Sequence, residues 1–218
     1  MRERDTTDTN GDNAVLERVV AQSITGFARI LTSARARWVG CEPELRPRIY
    51  YANHNSHADF ALLWAVLPGA VRKQTRPVAA ADYWSGGAVR RYLIHRVFNG
   101  VLVERGGDPK TKDPLLPIVA ALDAKQSVII FPEGTRNMGE GMLPFKSGIY
   151  HLARQCRDIE LIPVWIENLN RVMPKGHLLP VPLLCSVRFG GAIALRDGEE
   201  KDAFLSRARQ AILDLQTI

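Results

Sequence analysis

A histidine lies five residues before an aspartate in the string Asn-His-Asn-Ser-His-Ala-Asp at residues 53–59, and this spacing suits proton transfer. His54 follows a predicted strand, and Asp59 falls at the start of the next predicted helix. An aspartate placed there can accept a hydrogen bond from Nδ1 of the histidine. That bond fixes the tautomer and leaves Nε2 able to take a proton from a substrate hydroxyl. The pair is therefore a candidate general base, His54, with its orienting carboxylate, Asp59.

The same residues fit two other roles. Residues 56–59 read S-x-x-D, a helix start of the capping-box type, in which Asp59 only serves the helix N-terminus. Capping and catalysis are compatible, because one carboxylate has two oxygens. A metal site built from His54, His57 and Asp59 would match no standard zinc spacing, and no other cluster supplies the missing ligands. We therefore expect no metal site, while the capping and catalytic interpretations both stay open.

Charged residues also follow two predicted strands further along the chain. Arg105 follows an apolar strand predicted over residues 100–104. A second strand, over residues 127–131, leads into a turn that carries Glu133 and Arg136. Ligands of open α/β sheets bind outside the carboxyl ends of strands, and the planar arginine fork suits a phosphate. A single arginine is more often a solvated ion-pair partner, but two at strand ends predict an anion-binding site.

Hydrophobic periodicity predicts the elements that must position these residues. An amphipathic helix is predicted over residues 14–38, with an apolar stripe that ends at Trp38. Strands are predicted at residues 48–52, 78–81, 100–104, 127–131, 161–166 and 186–189, and helices at residues 58–67, 88–98, 115–124, 149–154 and 201–215. This alternation predicts an α/β fold with a largely parallel central sheet flanked by helices and an N-terminal amphipathic helical arm. The predicted organisation is a polar disordered tail over residues 1–13, the arm and a linker over 14–47, and one domain over 48–218.

Composition limits the classes of function. The 218 residues are 46% hydrophobic and 24% charged, which is typical of one globular domain and excludes wholesale disorder. The net charge of +6 favours an anionic partner, such as a phospholipid surface, a nucleic acid or a phosphorylated substrate. No helix-turn-helix, zinc-finger spacing or aromatic and basic RNA signature is present, so no nucleic acid is expected. Lys146, just before a predicted helix, could face an anionic donor, but an ordinary surface lysine is the favoured expectation.

The cysteines and the hydropathy predict a cytoplasmic protein. Three widely spaced cysteines, Cys41, Cys156 and Cys185, argue against a disulfide framework and suit a reducing compartment. Residues 1–13 contain no apolar segment of the kind found in secretory signals. The longest nearly uncharged apolar stretch, residues 60–71, is well short of the roughly 20 residues that a membrane span needs. Any contact with a membrane is therefore expected to be peripheral.

Four strings, taken in order, resemble the glycerolipid acyltransferase family, which is typified by enzymes that acylate 1-acyl-glycerol-3-phosphate. They are N-H-x-S-x-x-D at residues 53–59, G-x-x-x-x-R at 100–105, F-P-E-G-T-R at 131–136 and a short apolar string at 162–164. The first and third strings are highly specific, and the four together span about half of the chain. Two positions depart from the family pattern. Leu102 stands where an aromatic residue or isoleucine is frequent, and Asn137 replaces the usual serine.

The resemblance implies a role for each matching residue. His54 would be the catalytic base and Asp59 its partner. The positions that bind the acceptor and its phosphate would be Arg105, Glu133, Gly134, Thr135 and Arg136. The resemblance implies no cofactor other than the acyl carrier as co-substrate. No G-x-S-x-G string for a nucleophile elbow occurs, so Ser56 is not expected to form an acyl-enzyme.

The reaction implied by the resemblance belongs to phospholipid biosynthesis. A fatty acyl group would pass from a thioester, acyl-CoA or acyl-carrier-protein, to the hydroxyl of a lysophospholipid. The favoured acceptor is 1-acyl-glycerol-3-phosphate, which would give phosphatidate. Another lysolipid, such as a lyso-aminolipid, is the alternative acceptor. A non-catalytic lipid-binding protein on the same scaffold is the alternative from another functional class, and the intact His54 and Asp59 argue against it because binding needs no base.

An anionic membrane surface is the last expected partner, through peripheral attachment on the cytoplasmic face. The predicted helix over residues 14–38 ends in Trp38, an interfacial residue type, with Arg29, Arg35 and Arg37 towards that end. The apolar stripe could equally pack on the core of the domain, as most amphipathic helices do. Both interpretations stay open on the sequence alone.

Overall fold

A seven-stranded sheet forms the centre of the protein. The computed structural model describes residues 19, 20, 22, 23, 26, 35–56, 58–104, 113–137, 139, 141–167 and 185–218. Its strands are β1 (Arg35–Trp38), β2 (Arg48–Ala52), β3 (Thr75–Ala80), β4 (Val101–Val103), β5 (Ser127–Ile130), β6 (Glu160–Glu167) and β7 (Ser186–Phe189). Their order is β1-β7-β6-β2-β5-β3-β4. Neighbouring strands are parallel except β6 and β7, which are antiparallel, and this confirms the predicted α/β class with a largely parallel sheet.

Helices cover both faces of this sheet. Those described are α1 (Asp59–Val66), α2 (Gly69–Lys73), α3 (Ala81–Trp84), α4 (Ala88–Tyr92), α5 (Leu116–Asp123), α6 (Gly148–Gln155) and α7 (Lys201–Asp214). A π-helical turn, Leu93–Val97, continues α4, and a 3₁₀ turn, Leu215–Thr217, follows α7. One core layer joins α1, α2 and the π-helical turn to the sheet, and a second layer joins α5, α6 and α7 to the other face. The fold therefore has three layers, α/β/α.

Strand β2 shows why the centre of the sheet is apolar throughout. Tyr50 and Ala52 contribute to the core on one face of the sheet, while Ile49 and Tyr51 contribute to the core on the other. All four residues are fully buried. Parallel strands covered on both faces read as continuous apolar runs rather than as alternating ones. Because β2, β3, β4 and β5 are parallel, their carboxyl ends meet at one edge of the sheet, where the predicted site residues follow.

The predicted helix over residues 14–38 is wrong at its end, because Arg35–Trp38 is strand β1. This strand pairs in parallel with β7, from Arg35 opposite Ser186 to Trp38 opposite Phe189. The Trp38 ring stacks on Phe189, with centroids 4.0 Å apart. Exposure alternates along the strand, so Ala36 and Trp38 both face inward. Four residues are too few for the sequence to distinguish this alternation from the apolar stripe of a helix.

The short helices α2 and α3 are absent from the prediction, which placed residue 81 in a strand, and the other differences lie at element boundaries. Of the predicted arm, the described residues at positions 19, 20, 22, 23 and 26 are helical. The rest of residues 14–34, and the predicted tail over 1–13, lie outside the described residues. The helix predicted over residues 88–98 is divided into α4 and the π-helical turn, and Phe131 lies beyond the end of β5. Gly100 follows that turn, and a Cβ there would lie 2.4 Å from Ile94 Cδ1, so only glycine allows this close approach.

Candidate active site

His54 and Asp59 meet at the carboxyl edge of the sheet. His54 lies just after β2, and Asp59 is the first residue of α1. The distance between His54 Nδ1 and Asp59 Oδ2 is 2.9 Å, and the Asp59 side chain is buried. An ionised carboxylate accepts a hydrogen bond, so it selects the tautomer in which Nδ1 carries the proton and Nε2 does not. The geometry is that of a histidine base held by its carboxylate.

Asp59 also organises the loop that carries the histidine. Its Oδ2 accepts hydrogen bonds from the backbone N–H groups of Asn55, at 2.7 Å, and Ser56, at 2.8 Å. The N-cap of α1 is Ala58, which makes no side-chain capping bond. Ser56 Oγ accepts from Ala58 N at 3.2 Å and not from the amide of Asp59, so residues 56–59 do not form a capping box. The same carboxylate oxygen therefore binds both the imidazole and the backbone of the loop that leads into α1.

The backbone of His54 is fixed by the F-P-E-G-T-R string. His54 N donates to Glu133 Oε1 at 2.8 Å, and His54 O accepts from Asn137 N at 2.7 Å. The imidazole stacks on the Phe131 ring, with centroids 4.3 Å apart. Because Asn137 contributes its backbone amide here, the departure from serine at this position leaves the contact with His54 in place. The two specific strings thus form one structure around the histidine.

Glu133 is buried, and both of its carboxylate oxygens accept backbone hydrogen bonds. Its Oε1 accepts from His54 N, and its Oε2 accepts from Leu143 N at 2.9 Å. Burial raises the pKa of this carboxyl, while the hydrogen bonds from Leu143 and His54 act in the opposite direction. Glu133 is not among the described residues that line the adjacent cavity. Its place in the structure is behind the cavity wall, where it ties the histidine loop to residues 141–145.

A turn centred on Gly134 forms part of the cavity wall. Gly134 has φ of +70°, a conformation that costs a residue with a Cβ about 1–2 kcal/mol. A Cβ on Gly134 would also lie 3.1 Å from Cγ of Lys146. The backbone of Lys146 is held by its own hydrogen bond, from its N–H to Pro132 O at 2.8 Å. The glycine thus lets the stem of Lys146 lie against the turn.

The cavity beside these residues has a volume of about 400 Å³ and a mixed lining. Its polar wall contains His54, Thr135, Arg136 and Lys146. Its apolar wall includes Phe60, Val78, Trp84, Val103, Ile118 and Leu152. A cavity lined by apolar side chains together with a few polar groups is the usual form of a small-molecule site.

The structure brings together most of the residues that the sequence predicted. Gly134, Thr135 and Arg136 line the cavity with His54, and all three are exposed. Arg105 and His57 lie outside the described residues. Lys146 is exposed as predicted, but it also lines the cavity, and this placement fits the alternative of a lysine that faces an anionic donor. The stem of Lys146 packs on Gly134, and one sequence carries no signal of that contact.

Asn53, the first residue of the N-H-x-S-x-x-D string, supports the loop from the other side. Its Nδ2 donates to Ile166 O at 3.0 Å, and its Oδ1 accepts from Ile166 N at 2.7 Å. The buried amide therefore bonds the end of β2 to β6. The residue before the histidine is an anchor, and sequence reasoning gave it no role.

Two further findings concern the described residues only. They contain no group of three or more His, Cys, Asp or Glu side chains placed to hold a metal ion. None of the helices among them combines the length and the apolar character needed to cross a bilayer.

Comparisons with known proteins identify a family and a matching fold. A family model described as Acyltransferase matches residues 41–167, the segment that holds both specific strings. The chain belongs to the acyltransferase family. The 1-acyl-sn-glycerol-3-phosphate acyltransferase alpha of Homo sapiens is 32% identical over 149 residues, which cover 67% of this chain and 50% of that protein. The 1-acyl-sn-glycerol-3-phosphate acyltransferase of Cocos nucifera is 28% identical over 155 residues, or 70% and 48% of the two chains.

This acyltransferase-family chain spans about half the length of the curated relatives it matches. The crystal structure of the 1-acyl-sn-glycerophosphate acyltransferase from Thermotoga maritima has the same fold. The superposition covers 93% of this chain and 82% of the Thermotoga maritima chain, with a TM-score of 0.67 and 20% sequence identity.

Proposed function

We propose that this chain transfers a fatty acyl group from a thioester to the hydroxyl of a lysophospholipid, with His54 as the general base. The observation that carries the proposal is the 2.9 Å contact between His54 Nδ1 and Asp59 Oδ2 at the wall of the cavity. This contact leaves Nε2 as the basic atom of the imidazole. A protein that only binds lipid has no use for an oriented base.

The proposed reaction needs no covalent intermediate on the enzyme. His54 Nε2 removes the proton of the acceptor hydroxyl while the hydroxyl oxygen attacks the carbonyl carbon of the thioester. Collapse of the tetrahedral intermediate breaks the C–S bond, and the departing thiolate takes the proton from the imidazolium. Asp59 stabilises the imidazolium while it exists. The products are an ester and a free thiol, and His54 returns to its starting state. The donor is acyl-CoA or acyl-carrier-protein.

The favoured acceptor is 1-acyl-glycerol-3-phosphate, which yields phosphatidate. Arg136 and Lys146 both line the cavity near the Gly134 turn, and cations there suit a phosphate. The apolar wall suits a fatty acyl chain. The names of the relatives in coconut and human agree with this acceptor. By its place in the G-x-x-x-x-R string, Arg105 is proposed as a further phosphate ligand. Another lysolipid, with a larger head group, is the alternative acceptor.

Replacing His54 by alanine tests the catalytic role. Loss of a general base is expected to reduce turnover by about 10²–10⁴-fold. The matched control is His151→Ala, because His151 is an exposed histidine on α6 that is not among the cavity-lining residues. Turnover is measured by release of free thiol, and circular dichroism checks that both variants are folded. Similar turnover in the His54→Ala variant and the wild type would contradict the proposed base.

A panel of substrates tests the acceptor and the reaction class. Purified protein is incubated with acyl-CoA or acyl-carrier-protein and with lysophosphatidate, lysophosphatidylcholine, lysophosphatidylethanolamine or a lyso-aminolipid. Fastest acylation of lysophosphatidate supports the favoured acceptor. Fastest acylation of another lysolipid would replace it and leave the role of His54 intact. If no lysolipid is acylated but lysophosphatidate still binds, the protein is a lipid-binding module and the proposed function is wrong.

A further inference from the structure

Helices α3 and α4 and the π-helical turn form a surface that we call the α3–α4 surface. It is largely exposed and carries an exposed apolar side chain, Val89. Residues 85–91 are all exposed, and Val89 is 72% exposed, the largest value among the exposed large hydrophobic residues described. Tyr83, on α3, is 39% exposed. Single exposed apolar side chains are common on monomeric proteins, so Val89 and Tyr83 indicate a contact surface only together with the charge and the cavity beside them.

Basic side chains follow this apolar point along the chain. Arg90 and Arg91 follow Val89 directly, and His95 and Arg96 lie on the π-helical turn; all four are exposed. Asp82 is the one acidic residue between residues 81 and 98, against three arginines. The surface therefore carries net positive charge around an exposed valine. Arginines beside exposed apolar and tyrosyl side chains are the composition of segments that lie at the interface of an anionic bilayer.

The α3–α4 surface adjoins the proposed substrate cavity. Tyr83 and Trp84 line that cavity, and the Arg90 guanidinium lies over the Tyr83 ring, 4.4 Å from its centroid. A second exposed apolar side chain, Leu116, is 63% exposed at the start of α5. Its neighbour Leu115 lines the cavity as well. An exposed apolar residue of α3, Tyr83, therefore lines the cavity, and one of α5, Leu116, is adjacent in the chain to a lining residue.

We propose that the α3–α4 surface docks this protein on an anionic phospholipid bilayer. The exposed arginines contact lipid phosphates, and Val89 and Leu116 enter the boundary of the acyl chains beside the cavity. The position of the docking surface beside the cavity rests on the proposed function, because a lysophospholipid substrate would enter from the bilayer. Binding to the bilayer is measured independently of acyl transfer. It differs from attachment through Trp38, because that ring stacks on Phe189 within the sheet.

Charge reversal on this surface tests the proposal by sedimentation with vesicles. The wild-type chain is mixed with vesicles of phosphatidylcholine alone, or of phosphatidylcholine with phosphatidylglycerol. It should sediment with the anionic vesicles only, and less as salt is added. Arg90→Glu/Arg91→Glu should lower the partition coefficient at least tenfold, and Val89→Ser/Leu116→Ser should lower it without changing its dependence on salt.

The matched control reverses two exposed charges elsewhere. Arg154 is in the last turn of α6, which leads to the amino end of β6, and Lys201 begins α7. Arg154→Glu/Lys201→Glu changes the net charge equally and should bind vesicles much more strongly than Arg90→Glu/Arg91→Glu. Circular dichroism and thermal midpoints confirm that each variant is folded.

Three outcomes would overturn the proposal. The first is that the wild type fails to sediment with anionic vesicles. The second is that Arg90→Glu/Arg91→Glu and the control pair lose binding equally, which would reflect net charge alone. The third is that the α3–α4 variants bind vesicles normally but lose turnover only with acyl-carrier-protein, which would make the surface a site for that acidic donor protein. His54→Ala should bind vesicles like the wild type. Vesicle binding therefore tests the docking surface separately from the proposed catalytic role of His54.

Discussion

At the scale of single residues, Glu133 is a buried carboxylate whose two oxygens both accept hydrogen bonds from backbone N–H groups. It accepts hydrogen bonds from the backbone of the proposed base, His54, and from the backbone of Leu143. Two acceptor oxygens meet two N–H donors, so each atom of the carboxylate is used. We therefore propose Glu133 as a positioning residue for His54. This role is in addition to the acceptor-binding role that the family resemblance implies for the F-P-E-G-T-R string.

Glu133→Gln is therefore expected to damage the site although it keeps the shape of the side chain. Glutamine has one acceptor oxygen and one NH₂ group, so either His54 N or Leu143 N loses its acceptor and faces a donor. An unpaired buried N–H costs about 1–3 kcal/mol of stability. We expect the free energy of unfolding to fall by that amount and kcat to fall at least tenfold, with a smaller change in KM. Glu200→Gln, at an exposed position, is the control; equal kcat in both variants would refute the positioning role.

The dependence of stability on pH gives a second readout for Glu133. Burial raises the pKa of this carboxyl in the folded state above its ordinary value of 4.5. A raised pKa means that the folded state favours the protonated form, so this contribution to stability is complete at low pH and is lost as pH rises through the folded pKa. Glutamine does not titrate. The difference in unfolding free energy between the wild type and Glu133→Gln should therefore narrow as pH rises, and a widening difference would contradict this sign.

At the scale of elements, β1 is the strand that the sequence assigned to a helix. It is short and lies at the edge of the sheet, so its place depends on few contacts. One is the stack of Trp38 on Phe189, and another is the close approach of Gly40 to Gly191, where a Cβ on Gly40 would lie 2.4 Å from Gly191 N. These contacts bind the segment before β2 to the strand β7 from the other end of the chain.

Trp38→Ala tests whether this tryptophan belongs to the sheet or to a membrane anchor. Loss of the stacked ring from a half-buried site should lower the free energy of unfolding by about 2 kcal/mol. Val39→Ala is the control, because Val39 is 43% exposed and should cost much less. Chemical denaturation gives both values. Unchanged stability in Trp38→Ala together with lost vesicle binding would restore the anchor and contradict the assignment of β1.

At the scale of the whole molecule, two adjacent tyrosines in β2 limit stability at high pH. Burial raises the pKa of Tyr50 to about 12, and it raises the pKa of Tyr51 as well. The neutral phenol is the form that the fold accepts. Stability from these groups is therefore present below their ordinary pKa of 10.0 and is lost as pH rises from there towards 12. The two side chains face opposite core layers, so their ionisation disrupts both.

Tyr51→Phe should therefore make the fold more resistant to alkali. Among the described residues, Tyr51 Oη has no hydrogen-bond partner, so its removal should cost little at neutral pH. The expected result is an unfolding transition at higher pH than in the wild type, followed by circular dichroism and tyrosinate absorbance. Tyr150→Phe, at a half-buried position on α6, should leave the transition where it was. An unchanged transition in Tyr51→Phe would contradict the assigned role of this phenol.

The sequence by itself determined the class of the fold and the position of the candidate site. Apolar runs bounded by turns predict buried parallel strands, and the predicted strand that leads to His54 and the one that leads to Arg136 both proved correct within one residue. Parallel strands end at the same edge, so residues distant in the chain could be placed together from local pattern alone. The spacing of His54 and Asp59 likewise gave a contact that the structure contains. These inferences depend only on periodicity and on geometry within a few residues.

Only the tertiary structure decided the features that depend on pairing across the chain. Arg35–Trp38 is a strand because β7, about 150 residues later, supplies its hydrogen bonds and its stacking partner. Glu133 contacts the backbone of His54 across 79 residues, and the stem of Lys146 lies against Gly134 beside the cavity. The α3–α4 surface adjoins the cavity because α3 follows β3 at the carboxyl edge. A single sequence records residue types and local periods, and it does not record which distant segments satisfy one another's hydrogen bonds or fill one another's space.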